Sequence, residues 1–250
     1  MRRELLILMI MATFAAEARD ENTIDLSGTW DFGYGDTKAY DDVITLPGSM
    51  LTNSKGNDVD ASTRWTGSLY DMSYYYSDDM QPYREKGNIK FPFFLTPDKE
   101  YVGNAYYRRK VKIPSGWKGK RVVLHLERPH IETTLSVNGK EAGHRMSLST
   151  PHEYDITEYV EPGRENEIEL KIYNGIENVC VGQDSHSVTD QTQGNWNGVA
   201  GDILLRATPA DSYIENVRVY PDVKGRKATV RVIKGGKSGK IGKTSVKAVS

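Results

Sequence analysis

The chain has 250 residues, enough to bury a substantial core, with 33 Lys and Arg against 34 Asp and Glu. So even a balance, with no basic face in the composition, excludes a nucleic-acid binder of the usual electrostatic kind. Cys180 is the only cysteine, which excludes an internal disulfide and a thiolate metal cluster; it is expected to be a small buried hydrophobe.

Arg2 and Arg3 precede an apolar run from Leu5 to Phe14, and Ala16-Glu17-Ala18 offers small residues at the spacing of a cleavage site. Residues 1–18 therefore read as a signal peptide. The run falls short of the roughly 20 residues needed to span a bilayer, so the expectation is a periplasmic or secreted protein with no membrane partner.

Strand signals follow at short intervals, without convincing amphipathic helices. Leu26, Trp30 and Phe32 alternate within 26–32, and Val43-Ile44-Thr45-Leu46 leads into the turn Pro47-Gly48-Ser49. The stretch 52–99 is long, polar and aromatic, and such insertions are usually functional or disordered; its aromatic density predicts a structured loop. Trp65 and Tyr74 to Tyr76 are expected to be exposed there, shaping a substrate subsite or a contact in a homo-oligomer. Residues 105–111 predict a strand closed by Pro114 and Gly116. Val122, Leu124 and Leu126 alternate with Val123, His125 and Glu127 as in a half-buried strand. Ile131, Thr133, Leu135 and Val137 alternate again and reach Asn138-Gly139, the dipeptide of a type I′ hairpin. Ile168, Leu170 and Ile172 form another strand, and 202–206 a closing one.

Many short strands between Gly, Pro and Asn turns predict an all-β fold, a jelly-roll (galactose-binding-like) β-sandwich over residues 22–208. Pro209-Ala210-Asp211 marks a boundary. Residues 211–250 hold about three strand signals, where an immunoglobulin-like sandwich needs roughly seven, so this region is expected to be an incomplete sandwich of that type. Its Lys- and Gly-rich run from Lys224 to Lys247 reads as a solvated pair of edge strands.

Six segments resemble the N-terminal module of family 2 glycoside hydrolases, the group of β-galactosidases, β-glucuronidases and β-mannosidases. They are LSGTWDF (26–32), TLPGS (45–49), NAYYRRKVKIP (104–114), LSVNGKEAGH (135–144), YDITEYVEPGRENEIELKIYN (154–174) and QGNWNGVAGDILLRA (193–207). They stand in the family's order and cover most of residues 24–208. The resemblance implies an exo-acting retaining enzyme in which this jelly roll and an immunoglobulin-like sandwich precede an (α/β)₈ barrel. Two barrel glutamates, about 5–5.5 Å apart, would act as acid/base and nucleophile. They lie beyond Ser250 in the family, so this chain is expected to carry no catalytic residue and to work with a C-terminal barrel of the same protein.

The resemblance also implies a sugar contact from the polar segment 182–191. Asp190, eight residues before Gly198, matches the aspartate that reaches the sugar in the resembling β-galactosidases, and Asp184 and His186 are neighbours of the same kind. A carboxylate suits sugar hydroxyls, while a turn residue satisfying loop amides is the alternative reading of Asp190. Trp196 reads either as a core anchor or as a stacking platform for a sugar face, and its place at the start of a strand favours the first.

Glu127, Glu132 and Glu153 are expected on solvated strand faces rather than as an acid/base pair. His125, His130, His144 and His152 lack zinc spacing, and Asp58 and Asp60 lack a calcium-loop motif. No metal and no cofactor is expected. Two further readings compete with the enzyme fragment: a free-standing secreted carbohydrate-binding module, and a structural or oligomerising sandwich without sugar contact.

Overall fold

The computed structural model of the chain describes residues 21–63, 73–90, 97–181, 185, 188 and 194–236. Among them the chain forms fifteen strands. Thr23–Asp25 (β1), Gly28–Tyr34 (β2), Asp42–Leu46 (β3) and Gly48–Ser49 (β4) come first. The short pair Asn57–Asp58 (β5) and Lys99–Glu100 (β6) closes the base of the long insertion. Then follow Asn104–Lys112 (β7), Lys120–His130 (β8), Glu132–Val137 (β9), Lys140–Met146 (β10) and His152–Asp155 (β11). Glu165–Tyr173 (β12), Gly198–Pro209 (β13), Tyr213–Asp222 (β14) and Lys227–Gly235 (β15) complete the set.

Two antiparallel sheets make the sandwich. One runs β1-β13-β8-β11 with β4 also on β13, and the other runs β10-β9-β12-β7-β2-β3. Their facing sides meet in one core. Val122, Leu124 and Leu126 of β8 and Ile203 and Leu205 of β13 pack with Trp30, Phe32, Leu135, Leu170 and Ile172 of the other sheet. Period-two alternation puts these side chains on one face of each strand, and burying each aliphatic one stabilises the fold by about 1.5–3 kcal/mol.

The segment 26–32, predicted as one strand, begins with the crossing between the sheets at Leu26-Ser27 and is strand only from Gly28. The chain leaves β1 at Asp25, turns where Asp25 accepts a hydrogen bond from the Ser27 amide at 2.7 Å, and enters β2 at Gly28. Gly28 has φ +120, a conformation that side chains rarely adopt. The Arg109 guanidinium donates to the Leu26 and Ser27 carbonyls and fixes the crossing.

The predicted hairpin at Asn138-Gly139 forms, with φ +51 and +76 and Val137 paired to Lys140. The β8 expectation is corrected. It lies between β13 and β11, and over residues 122–126 both faces are buried, so Val123 and His125 are covered although their parity is outward, while Glu127 stays exposed.

In the insertion, the 3₁₀ turns Ser73–Tyr76 and Asp78–Arg84 supply order. Tyr75 is buried and only Tyr76 is exposed of that pair, while Trp65 lies outside the described residues. Arg84 caps the Tyr75 and Ser77 carbonyls, which pins the first turn to the second. Cys180 is exposed in the segment after β12, against the expectation of burial.

The β14–β15 hairpin pairs only with itself among the described residues, and Ile214, Val217 and Val219 stay exposed. Arg121 of β8 stacks over the Tyr213 ring at 4.3 Å where the hairpin leaves the sandwich. Among the described residues no helix is long and apolar enough to cross a membrane.

Candidate functional site

The segment leading into β13 is extended, so its side chains alternate. Asn195 and Asn197 turn inward and Trp196 between them turns to the surface. Asn197 is buried; its Oδ1 accepts from the Tyr107 hydroxyl at 2.7 Å, and its Nδ2 donates to the Gly103 and Ile172 carbonyls at 3.2 and 3.1 Å. Asn195 donates to the Asn174 carbonyl at 2.8 Å, and the Asn174 side chain donates to the Tyr101 carbonyl at 2.8 Å. These amides take the place of ladder hydrogen bonds where the sheets end, as buried backbone groups require. They hold the backbone on both sides of Trp196.

The half-buried Trp196 lies parallel to the His130 ring, with centroids 4.8 Å apart and 13° between planes. His130 ends β8 directly opposite Gly198 of β13. Burial pushes its imidazole pKa down to about 4, against a side-chain hydrogen bond with Asn195 that raises it, and the Arg128 charge lowers it further. It is therefore neutral at physiological pH and has hydrogen-bonding capacity without charge.

Around this pair opens a cleft of about 480 Å³, within the range of roughly 300–1,000 Å³ typical of small-ligand sites. Gly48, Ser49 and Thr52 line it from the turn at β4, Arg128 and His130 from β8, Leu148 and Ser149 from the loop after β10, Trp196 from the segment before β13 and Ala200 from β13 itself. The β4 wall is rigid. Ser49 and Thr52 exchange hydrogen bonds through amide and hydroxyl, and Asn53 donates to the Ser49 carbonyl at 2.8 Å. An aromatic face, hydroxyls, a neutral imidazole and a guanidinium are the groups that hold a polyhydroxylated ring: apolar C–H patches stack and hydroxyls find donors and acceptors.

Of the residues expected to touch sugar, Trp196 lies on this cleft, which corrects its reading as a core anchor. Asp190, Asp184 and His186 lie outside the described residues. His130 and Arg128 were missed as site residues because only the pairing of β8 with β13 brings them to Trp196, and Ser149 because it comes from the separate loop after β10. The other histidines serve the fold. His125 Nδ1 meets Glu153 at 3.0 Å, and His152 Nδ1 meets the Thr133 hydroxyl at 2.6 Å.

Glu132 is not on a solvated face as expected: its largely covered carboxylate accepts from Asn178 at 2.8 Å and meets His144 Nε2 at 3.2 Å. Asp58 pairs with Lys99, and Asp60 accepts from Ser62. Among the described residues no group of three His, Cys, Asp or Glu is gathered that could hold a metal ion.

Residues 23–209 match the family described as glycosyl hydrolases family 2, sugar binding domain. A β-galactosidase of Priestia megaterium is 25% identical over 184 residues, covering 74% of this chain and 16% of that enzyme. A β-galactosidase of Thermoanaerobacter pseudethanolicus is 34% identical over 86 residues, covering 34% of this chain and 12% of that enzyme. The chain thus spans well under a fifth of either relative. Among solved structures, a β-glucuronidase from an uncultured Clostridium sp. superposes with TM-score 0.52 and 21% identity, covering 86% of this chain and 34% of that one. The apo β-glucuronidase of Ruminococcus gnavus does so with TM-score 0.53 and 16% identity, at the same coverage. At these identities the structures show the shared sandwich fold.

Proposed function

Since the chain belongs to glycoside hydrolase family 2 through its sugar-binding domain, we propose that it is the N-terminal, non-catalytic part of a β-galactosidase-like enzyme that hydrolyses terminal β-glycosides. In this reading the protein is exported by its leader and completes its active site with a C-terminal barrel carrying the two reacting carboxylates. The sandwich contributes sugar binding through the cleft at Trp196.

The observation that carries this reading is the Trp196–His130 stack at the mouth of a polar cleft. An indole clamped by amides on both sides is preorganised, so little conformational entropy is lost when a ring docks on it. Asp190, Asp184 and His186 precede Trp196 in a polar stretch of the sequence, and we assign them to the same sugar contact.

The test is a titration of the chain with methyl β-galactoside and methyl β-glucoside, followed by tryptophan fluorescence and by the indole NMR signals. A saturable response from Trp196 is expected, with affinity lowered about tenfold or more in Trp196→Ala. The chain alone is expected not to turn over aryl β-glycosides. Hydrolysis that a single substitution within residues 24–250 abolishes would overturn the non-catalytic assignment. A chain that leaves the indole signals unmoved by any sugar would overturn the binding one.

A further inference from the structure

The six-stranded sheet has an outer face, turned away from the core, and strand parity lines up its side chains in rows. Thr134 of β9 stands opposite His144 of β10 and Lys171 of β12, and Lys171 stands opposite Tyr106 of β7. The next position in this row, on β2, is Gly33. A Cβ there would come within 2.2 Å of the Ala39 carbonyl oxygen, so the missing side chain lets the loop after β2 lie on the sheet. Lys38 and Tyr40 of that loop wall one side of a groove whose floor holds Tyr106, Thr134 and Lys171.

Two cavities of about 290 and 180 Å³ share Thr134 and Lys171 and so form one groove. Crossing from β10 to β7 it spans about 14 Å, longer than a single pyranose ring. Its walls are saturated. Glu169 accepts from the Tyr40 hydroxyl at 2.9 Å and pairs with Lys38 at 2.6 Å, while the Arg108 guanidinium lies 4.2 Å over the Tyr40 ring. At the other end Glu132 holds His144 and Asn178, and the Tyr173 hydroxyl donates to Glu177 at 3.0 Å. The floor is not saturated. Among the described residues the side chains of Asn104, Tyr106, Thr134, Ser136 and Lys171 have neither a hydrogen-bond nor an ion-pair partner.

From this contrast we propose that the groove binds a neutral oligosaccharide chain laid along the sheet. It is a second carbohydrate site, sharing no described lining residue with the Trp196 cleft. Free hydroxyls, an amide and an ammonium supply donors and acceptors for successive sugar hydroxyls, and the tyrosines add ring surface for C–H patches. Walls already fixed by their own bonds cost little to order when the chain docks. Lys38 and Lys171 are matched by Glu132 and Glu169 among the lining residues, so an uncharged ligand fits better than a polyanion, which needs an excess of cations. A protein partner would require an apolar centre, whereas the outward side chains here are polar but for the tyrosine rings.

Cello-, manno-, xylo- and galacto-oligosaccharides, each from monosaccharide to hexasaccharide, are titrated into the 250-residue chain by isothermal calorimetry. Backbone NMR signals locate the binding. In at least one series affinity is expected to rise about tenfold or more with chain length, with shifts at Thr134, Ser136 and Lys171. Trp196→Ala is expected to keep that gain. Lys171→Ala combined with Thr134→Val is expected to remove it and to leave the indole response to methyl β-glycosides unchanged, with circular dichroism verifying the fold. Should the double variant misfold, Lys171→Gln alone is expected to lower hexasaccharide affinity. Affinity independent of length in every series overturns the inference and leaves the reading of the cleft standing. A gain that disappears in Trp196→Ala places the chain in the cleft and overturns it too. So does a sugar-independent dimer that the double variant dissociates, since the face would then belong to a second copy.

Discussion

The Tyr107 hydroxyl, on the innermost stretch of β7, donates to the Asn197 side chain at 2.7 Å across the end of the sandwich. Through this bond the six-stranded sheet holds the start of β13, which belongs to the other sheet. Asn197→Ala removes the acceptor of a fully buried phenol and the donor to two carbonyls. A buried polar group left unsatisfied costs about 1–3 kcal/mol, so the variant is expected to lose at least that much stability. Urea unfolding with an unchanged slope and a lower midpoint is the expected signature. A midpoint equal to wild type would mean that the bond contributes nothing net.

Gly198 is the next point of restraint. It has φ +147, and a Cβ there would come within 2.3 Å of the Gly48 carbonyl oxygen and 2.7 Å of the Ser49 Cα. Those are backbone atoms of β4, so relief requires β4 to separate from β13. Gly198→Ala is expected to destabilise the chain by about 1–3 kcal/mol and to open the Ser49 wall of the cleft. Amide hydrogen exchange at Met50, whose N–H donates to the Asn197 carbonyl at 2.8 Å, would read the separation directly. Unaltered protection there would show that β4 does not depend on this close approach.

How far the sequence carried the fold can be judged strand by strand. Leu135 and Val137 alternate and meet an Asn-Gly turn, so local chemistry determined both pattern and register. The crossing at Leu26-Ser27 was illegible, because it depends on an arginine about eighty residues away capping two carbonyls. The burial of His125 was hidden for a related reason: alternation tells which face a residue takes, not whether that face is covered. The cleft was the least legible feature. Ser49, Arg128, Ser149 and Trp196 come from four segments, and only the tertiary pairing joins them. Trp196 was noticed because it is a large ring in the segment that leads into the closing strand; His130 carried no local signal beyond being a histidine.

Trp30 tests the core itself. It is almost wholly buried, its indole N–H donates to the Leu26 carbonyl at 3.0 Å, and the Arg109 guanidinium lies over its ring. Trp30→Ala opens a large cavity while the Leu26 carbonyl keeps the Arg109 donor, and losses of about 3–5 kcal/mol are usual for such a truncation. Trp30→Phe keeps most of the volume and is expected to cost less, the difference reflecting the lost hydrogen bond and the smaller ring. Thermal unfolding of the two variants should rank wild type above Phe and Phe above Ala. Indistinguishable midpoints for wild type and the Ala variant would contradict the packing described here.

The acid limit of stability should be set by histidines before carboxylates. Burial pushes both His130 and His152 down to about 4, with Arg145 and His144 adding to the effect at His152. His152 Nδ1 faces the Thr133 hydroxyl, which also meets the Tyr154 hydroxyl, and Nε2 has no hydrogen-bond partner among the described residues. Protonation would therefore place an unpaired charge in the interior. The sign follows from proton linkage: between about pH 6.5 and 4 the unfolded chain binds protons that the folded chain refuses, so stability falls as pH falls through that window and is fully present above it. Asp155 and Glu169 are held below their usual range on balance by Arg121, Thr157, Lys38 and Tyr40, against their own burial, and their share is lost at lower pH. Urea midpoints are expected to decline from pH 7 to pH 4.5, and the decline should be shallower in His152→Asn, which keeps a polar group near Nδ1 and cannot titrate. A midpoint constant across that interval would show that neither imidazole is buried as described.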